Sequence, residues 1–192
     1  MDTPQAIEGY ELSPQQRRLW RLAGGGTGAY RARAEVVLRG ALDPRRLAAA
    51  LARVVERHEI LRTAWESLAG LPLPVQVIRS PREVLPLPLP WLDLAGLAAS
   101  RREATAAAFA AAVAAAPFDL ARGAVLRAGV VRDAADRHRL VLAVPALCAD
   151  LEAMAQLVAE LGREMAGAAA GEPLQYADYC EWLREVRAAP EA

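Results

Sequence analysis

The apolar positions along this chain follow two spacings, and the change from one to the other divides it into strands and helices. An apolar run rich in Leu and Val, from Leu140 to Cys148, is bounded by the turn-like segment Arg132 to Arg137 and by an amphipathic stretch that begins at Asp150. A run that is apolar at successive positions has both faces covered, so it reads as a buried strand whose C-terminal end delivers a loop to a site. A spacing of three to four residues marks the helices. Leu47, Leu51, Val54, Val55, His58, Leu61 and Trp65 fall on one face of a helix that opens with Asp43 as cap and Pro44 in its first turn. Arg62 falls on the same face, one turn after His58. A guanidinium stays charged when buried, so it demands a carboxylate or several carbonyls from another part of the chain. In that geometry His58 reads as a core histidine bonded to backbone, not as a base.

The other elements follow in order. Ser13 caps a short helix with Pro14 at its first position, and Leu12, Leu19, Trp20 and Leu22 give it one apolar face. The glycine run Gly24 to Gly28 follows a helix and precedes a strand, the reverse of a phosphate-binding loop, and it lacks the Gly-Lys-Ser/Thr ending; it reads as a connector. Ala32 to Leu38 and Val75 to Ile78 are strands, and the alternate prolines of Leu85 to Trp91 exclude that segment from a central strand. Ser100 opens a capping box for an alanine-rich helix stopped by Pro117. Ala124 to Val131 and Arg139 to Val144 form an antiparallel pair. Asp150 starts a helix with Leu151, Met154, Leu157, Val158, Leu161 and Met165 on one face, residues 166–171 are a loop, and Tyr176 begins a last amphipathic helix. This order predicts one α+β domain over residues 1–192, a mixed sheet with helices packed mainly on one face.

Composition narrows the function classes. Lys+Arg and Asp+Glu each total 23, so the net charge is zero and a nucleic-acid partner is not expected. Every one of those cations is arginine. No apolar run approaches the roughly 20 residues of a membrane span, and the first residues lack the pattern of a signal peptide, so a cytoplasmic chain is expected. The two cysteines, Cys148 and Cys180, have no metal-ligand spacing and read as buried thiols, and no metal or directly bound cofactor is expected.

Several segments are similar to one family. Ser13 to Leu22 resembles the first core motif of nonribosomal peptide synthetase condensation domains, with Gln15 in place of a usual small residue. Arg57-His-Glu-Ile-Leu-Arg-Thr-Ala-Trp65 resembles the second motif and Tyr176-Ala-Asp-Tyr-Cys-Glu-Trp182 the fourth, while Phe118 to Ala128 is similar to the segment leading into the strand before the active site. The resemblance implies the chloramphenicol acetyltransferase-like fold, of which this chain covers an N-terminal lobe with the second lobe absent. It also implies a reaction in which an amine attacks a carrier-bound acyl or peptidyl thioester. The third family motif, His-His-x-x-x-Asp-Gly, falls on Pro145, Ala146, Leu147, Cys148, Ala149, Asp150 and Leu151. Both histidines and the glycine are replaced, and only Asp150 remains. The family histidine at position 146 positions or deprotonates the amine, while its aspartate pairs with the arginine that aligns with Arg62. An Arg62–Asp150 ion pair is therefore expected, worth roughly 3–5 kcal/mol on removal of one side if fully buried.

Three readings follow. The first is a condensation-domain lobe, not catalytic alone, working with acyl or peptidyl carrier proteins, their phosphopantetheine arms and neighbouring synthetase domains, and with a second lobe or a second copy over its open face. Another is a non-catalytic scaffold for those same partners. The third, an acyltransferase using coenzyme A, needs the same missing histidine. Cys148 as a nucleophile is disfavoured, because apolar neighbours oppose its thiolate.

Overall fold

The computed structural model describes residues 9–24, 30–168 and 171–188. In chain order the elements are α1 (Pro14–Leu22), β1 (Arg31–Arg39), α2 (Pro44–Arg57), a 3-10 turn (Glu59–Arg62), β2 (Thr63–Glu66), β3 (Val75–Ile78), α3 (Pro81–Val84), β4 (Trp91–Asp93), α4 (Ala99–Ala115), β5 (Arg127–Ala134), β6 (Arg137–Pro145), α5 (Leu151–Met165) and α6 (Tyr176–Ala188). Residues 25–28 of the glycine connector lie outside the described residues.

The main sheet has the order β1-β6-β5-β4, antiparallel except for the parallel β4/β5 pair. β6 lies inside it, and its alternation serves two cores. Leu140, Leu142 and Val144 pack with Leu47, Leu51, Val54 and Val55 of α2 and with Met154 and Leu161 of α5. Val141 meets Ala110 and Val113 of α4 on the opposite face, and Ala143 joins a second cluster there with Trp65, Phe118 and Val125. α2 and α5 thus lie on one face and α4 on the other, where Leu19 and Trp20 of α1 also pack against the second cluster. Gly129 is required where α4 crosses β5: a Cβ there would stand 2.7 Å from Val113 Cγ2. A small sheet of β2 and β3 sits beside the main one, tied to the N-terminal segment by an antiparallel bridge between Tyr10 and Gln76.

Three local expectations change. The helix opened by Asp43 ends at Arg57, because His58 takes extended dihedrals (φ −103°, ψ 104°), and Trp65 belongs to a strand. The alanine-rich helix starts after Ala98 without a side-chain cap; Arg102 instead ties its first turn to the carbonyls of Leu97 (2.6 Å) and Ala95 (3.0 Å). Leu151, the first residue of α5, is 79% exposed and does not join the buried face that begins at Met154. No helix among the described residues is long and apolar enough to cross a membrane.

Candidate functional site

The strand β6 ends at Pro145, and the chain turns through Ala146, Leu147 and Cys148 before Asp150 caps α5. The turn is held by backbone bonds: Ala146 N–H donates to Tyr30 O and Cys148 N–H to Pro145 O, both at 2.9 Å. A buried amide grips it from below. Gln16 Nε2 donates to Leu147 O (3.1 Å) and to Gln76 Oε1 (2.8 Å), while its Oε1 accepts from Ser13 N–H (2.9 Å). Gln16 is 1% exposed. A buried amide must have all its partners, so α1, β3 and the turn are fixed together. Gln16 falls one turn after Leu12 and one turn before Leu19 and Trp20, and that polar break in an apolar stripe was the sequence signal for it.

The turn carries little chemistry. Pro145, Ala146, Leu147 and Ala149 supply no proton acceptor on a side chain. Cys148 is half-buried, and burial of its thiol pushes its pKa far above the ordinary value, which suppresses the thiolate a nucleophile needs. Burial raises the Cys180 thiol as well. Cys148 faces a cleft of about 450 Å³ whose walls include Ile60, Leu61, Leu157 and Pro173, with His58 and Glu160 at its polar end. Among the described residues no group of three or more His, Cys, Asp or Glu side chains is placed to hold a metal ion.

The expected Arg62–Asp150 pair is not made. Asp150 is exposed, and its carboxylate accepts from Ala153 N–H at 2.8 Å as the cap of α5. Arg62 donates to Arg79 O (2.6 Å) and to Glu59 (3.3 Å). The physical reason is the break at His58: Arg62 is carried by a 3-10 turn facing β3 and not by the α2 face that the wheel assumed.

A different charged cluster joins the second-motif segment to α5. Glu160 accepts from Arg57 and is bonded to His58 Nε2 at 2.6 Å, so His58 is bound to a carboxylate and not to backbone. Glu164 accepts from Arg57 (2.5 Å) and Arg53 (2.6 Å). Burial alone would raise the Glu160 carboxyl, but the bonds from His58 and Arg57 outweigh it and hold the group below its ordinary value. Arg53 and Arg57 do the same for Glu164. The sequence signal was the reciprocal four-residue spacing of Arg53/Arg57 on α2 and Glu160/Glu164 on α5.

With this geometry in view, comparison with known proteins defines the class. The Condensation domain family profile matches residues 6–191. The chain belongs to that family, and its fold is that of an N-terminal lobe. It is 37% identical over 183 residues to chondramide synthase cmdD of Chondromyces crocatus, covering 91% of this chain but only 5% of that synthase. Among solved structures it matches SgcC5 of Streptomyces globisporus at 26% identity with a TM-score of 0.77, over 93% of this chain and 42% of that one. It also matches the X-domain from teicoplanin biosynthesis, solved in complex with OxyB, at 27% identity and a TM-score of 0.75, over 97% of this chain and 40% of that one. The chain therefore spans less than half of these solved relatives.

Proposed function

We propose that this chain is the N-terminal lobe of a nonribosomal peptide synthetase condensation-type domain that engages carrier-borne acyl or peptidyl groups in the cytoplasm without forming the amide bond on its own. One observation carries this reading. At the end of β6, where the family places two histidines, stand Pro145 and Ala146, and the Cys148 thiol of the same turn is held protonated by burial. The lobe keeps its frame, since Gln16 still fixes the turn and β6 pairs with β1 in unbroken register from Arg137 to Pro145. What is lost is the base.

A second reading, an interaction platform for other synthetase components, is favoured by the similarity to the X-domain, which was solved bound to OxyB. A coenzyme A acyltransferase is disfavoured, because its chemistry also needs the histidine. Titration of this chain with a fluorescent carrier protein tests the proposal. The carrier with its phosphopantetheine arm should bind more tightly than the carrier without it, and Cys148→Ser should change neither value. Saturable binding of free coenzyme A without carrier binding would overturn the reading.

A further inference from the structure

Two buried amides tie the last helix to the turn that ends β6. Gln76 of β3 is 1% exposed, like Gln16, and its backbone is pinned by the bridge to Tyr10. Its Nε2 donates to Glu11 O (3.0 Å) and to Cys180 Sγ of α6 (3.7 Å), while its Oε1 accepts from Gln16 Nε2 (2.8 Å). Gln16 Nε2 gives its other hydrogen to Leu147 O (3.1 Å). Every N–H of both side-chain amides is therefore committed, and the acceptors lie in four different parts of the chain: the segment before α1, β3, the turn and α6.

A second thread runs from the same helix. Tyr176 Oη lies 2.9 Å from Ser13 Oγ, and Ser13 N–H donates to Gln16 Oε1 at 2.9 Å. Tyr176 and Cys180 stand one helical turn apart on one side of α6, so a single movement of that helix disturbs both threads. Ser13, Gln16, Gln76 and Cys180 are all buried, and a buried amide that loses one partner has no water at hand to replace it. Its remaining bonds then rearrange, and the bond to Leu147 O is among them. Within the turn, Ala146 N–H donates to Tyr30 O and Cys148 N–H to Pro145 O, so these two amides report how firmly it is held.

We propose that α6 and the 145–149 turn form one coupled unit, in which the seating of α6 sets the rigidity of the turn through Gln76 and Gln16 acting as positioning residues. The relay lies wholly within the described residues, and it does not depend on which group the lobe binds.

Hydrogen exchange of the full chain, followed by NMR, tests it. The readout is the exchange rate of the Ala146 and Cys148 amides divided by that of Val54 and Val55 in α2, a ratio that a general loss of stability leaves unchanged. Tyr176→Phe/Cys180→Ala cuts both threads without touching the turn and should raise the ratio at least fivefold. Cys180→Ser keeps an acceptor for Gln76 and should leave it within twofold of the parent. Leu183→Ala loosens α6 without removing a bond of the network, and it should also leave the ratio within twofold. Gln16→Met breaks the relay at its other end and should raise the ratio at least fivefold, after which Tyr176→Phe/Cys180→Ala should add less than twofold, the non-additivity expected of linked groups. If Gln16→Met does not fold, Gln76→Met takes its place in the same cycle. An unchanged ratio in the α6 double variant, full additivity with Gln16→Met, or a rise in Leu183→Ala equal to that of the double variant would each overturn the proposal.

Discussion

Replacing Glu160 with Gln keeps the side chain's shape and removes its charge. Glu160 is 9% exposed at its side chain and its partners Arg57 and His58 are 19% and 25% exposed, so the cluster is only partly screened by water. Removing one partner of a fully buried pair costs about 3–5 kcal/mol, because the other charge is stranded. Arg57 keeps Glu164, which lowers the cost toward that of weakening charged hydrogen bonds, about 2–3 kcal/mol. For a chain of this size that corresponds to a fall in Tm of about 4–12 °C. The sign with pH follows from the depressed carboxyl. Its folded pKa lies below its unfolded value, so its contribution is present above the unfolded pKa of about 4.3 and is lost as pH falls through the folded value. Urea unfolding followed by circular dichroism should show the full gap between parent and Glu160→Gln at pH 7, narrowing progressively below about pH 4. Equal midpoints at pH 7, or a gap that stays constant on acidification, would refute the assignment.

Two further outcomes follow from close packing and burial. Gly129→Ala places a methyl against Val113 Cγ2 on a rigid helix and should destabilise by about 1–3 kcal/mol, read as a lower urea midpoint. In a Cys180→Ser background, iodoacetamide should alkylate Cys148 at least tenfold more slowly than free cysteine at pH 8, the difference vanishing in denaturing urea; alkylation at the free-cysteine rate would place the thiol in solvent.

Strands and helix starts were legible in the sequence where one strong local signal decided them. Val75 to Ile78 and the strand before Pro145 appear as read, and Ser13, Asp43 and Asp150 each cap the helix expected. The end of α2 was not legible, because its apolar period continues through Leu61 and Trp65 although the backbone turns extended at His58. That turn decides where Arg62 points, and so the expected ion pair with Asp150 gave way to bonds with Glu59 and Arg79. The short α3 and the three-residue β4 lie within or beside a proline-rich segment, where local pattern carries no period and tertiary pairing with β5 makes the strand. The reading of Pro145 and Ala146 as an empty motif rests on residue identity together with the family resemblance, and the experiment below tests it.

The central claim is that this lobe has the family's frame without its base. A single-turnover experiment tests it most directly: the chain is mixed with a carrier-bound acyl thioester and an amine acceptor, and amide is followed by mass spectrometry against a protein-free blank. The account predicts amide at the blank rate. Amide formed faster than the blank, and lost on unfolding the chain, would contradict it and would mean that a group other than the residue at position 146 activates the amine.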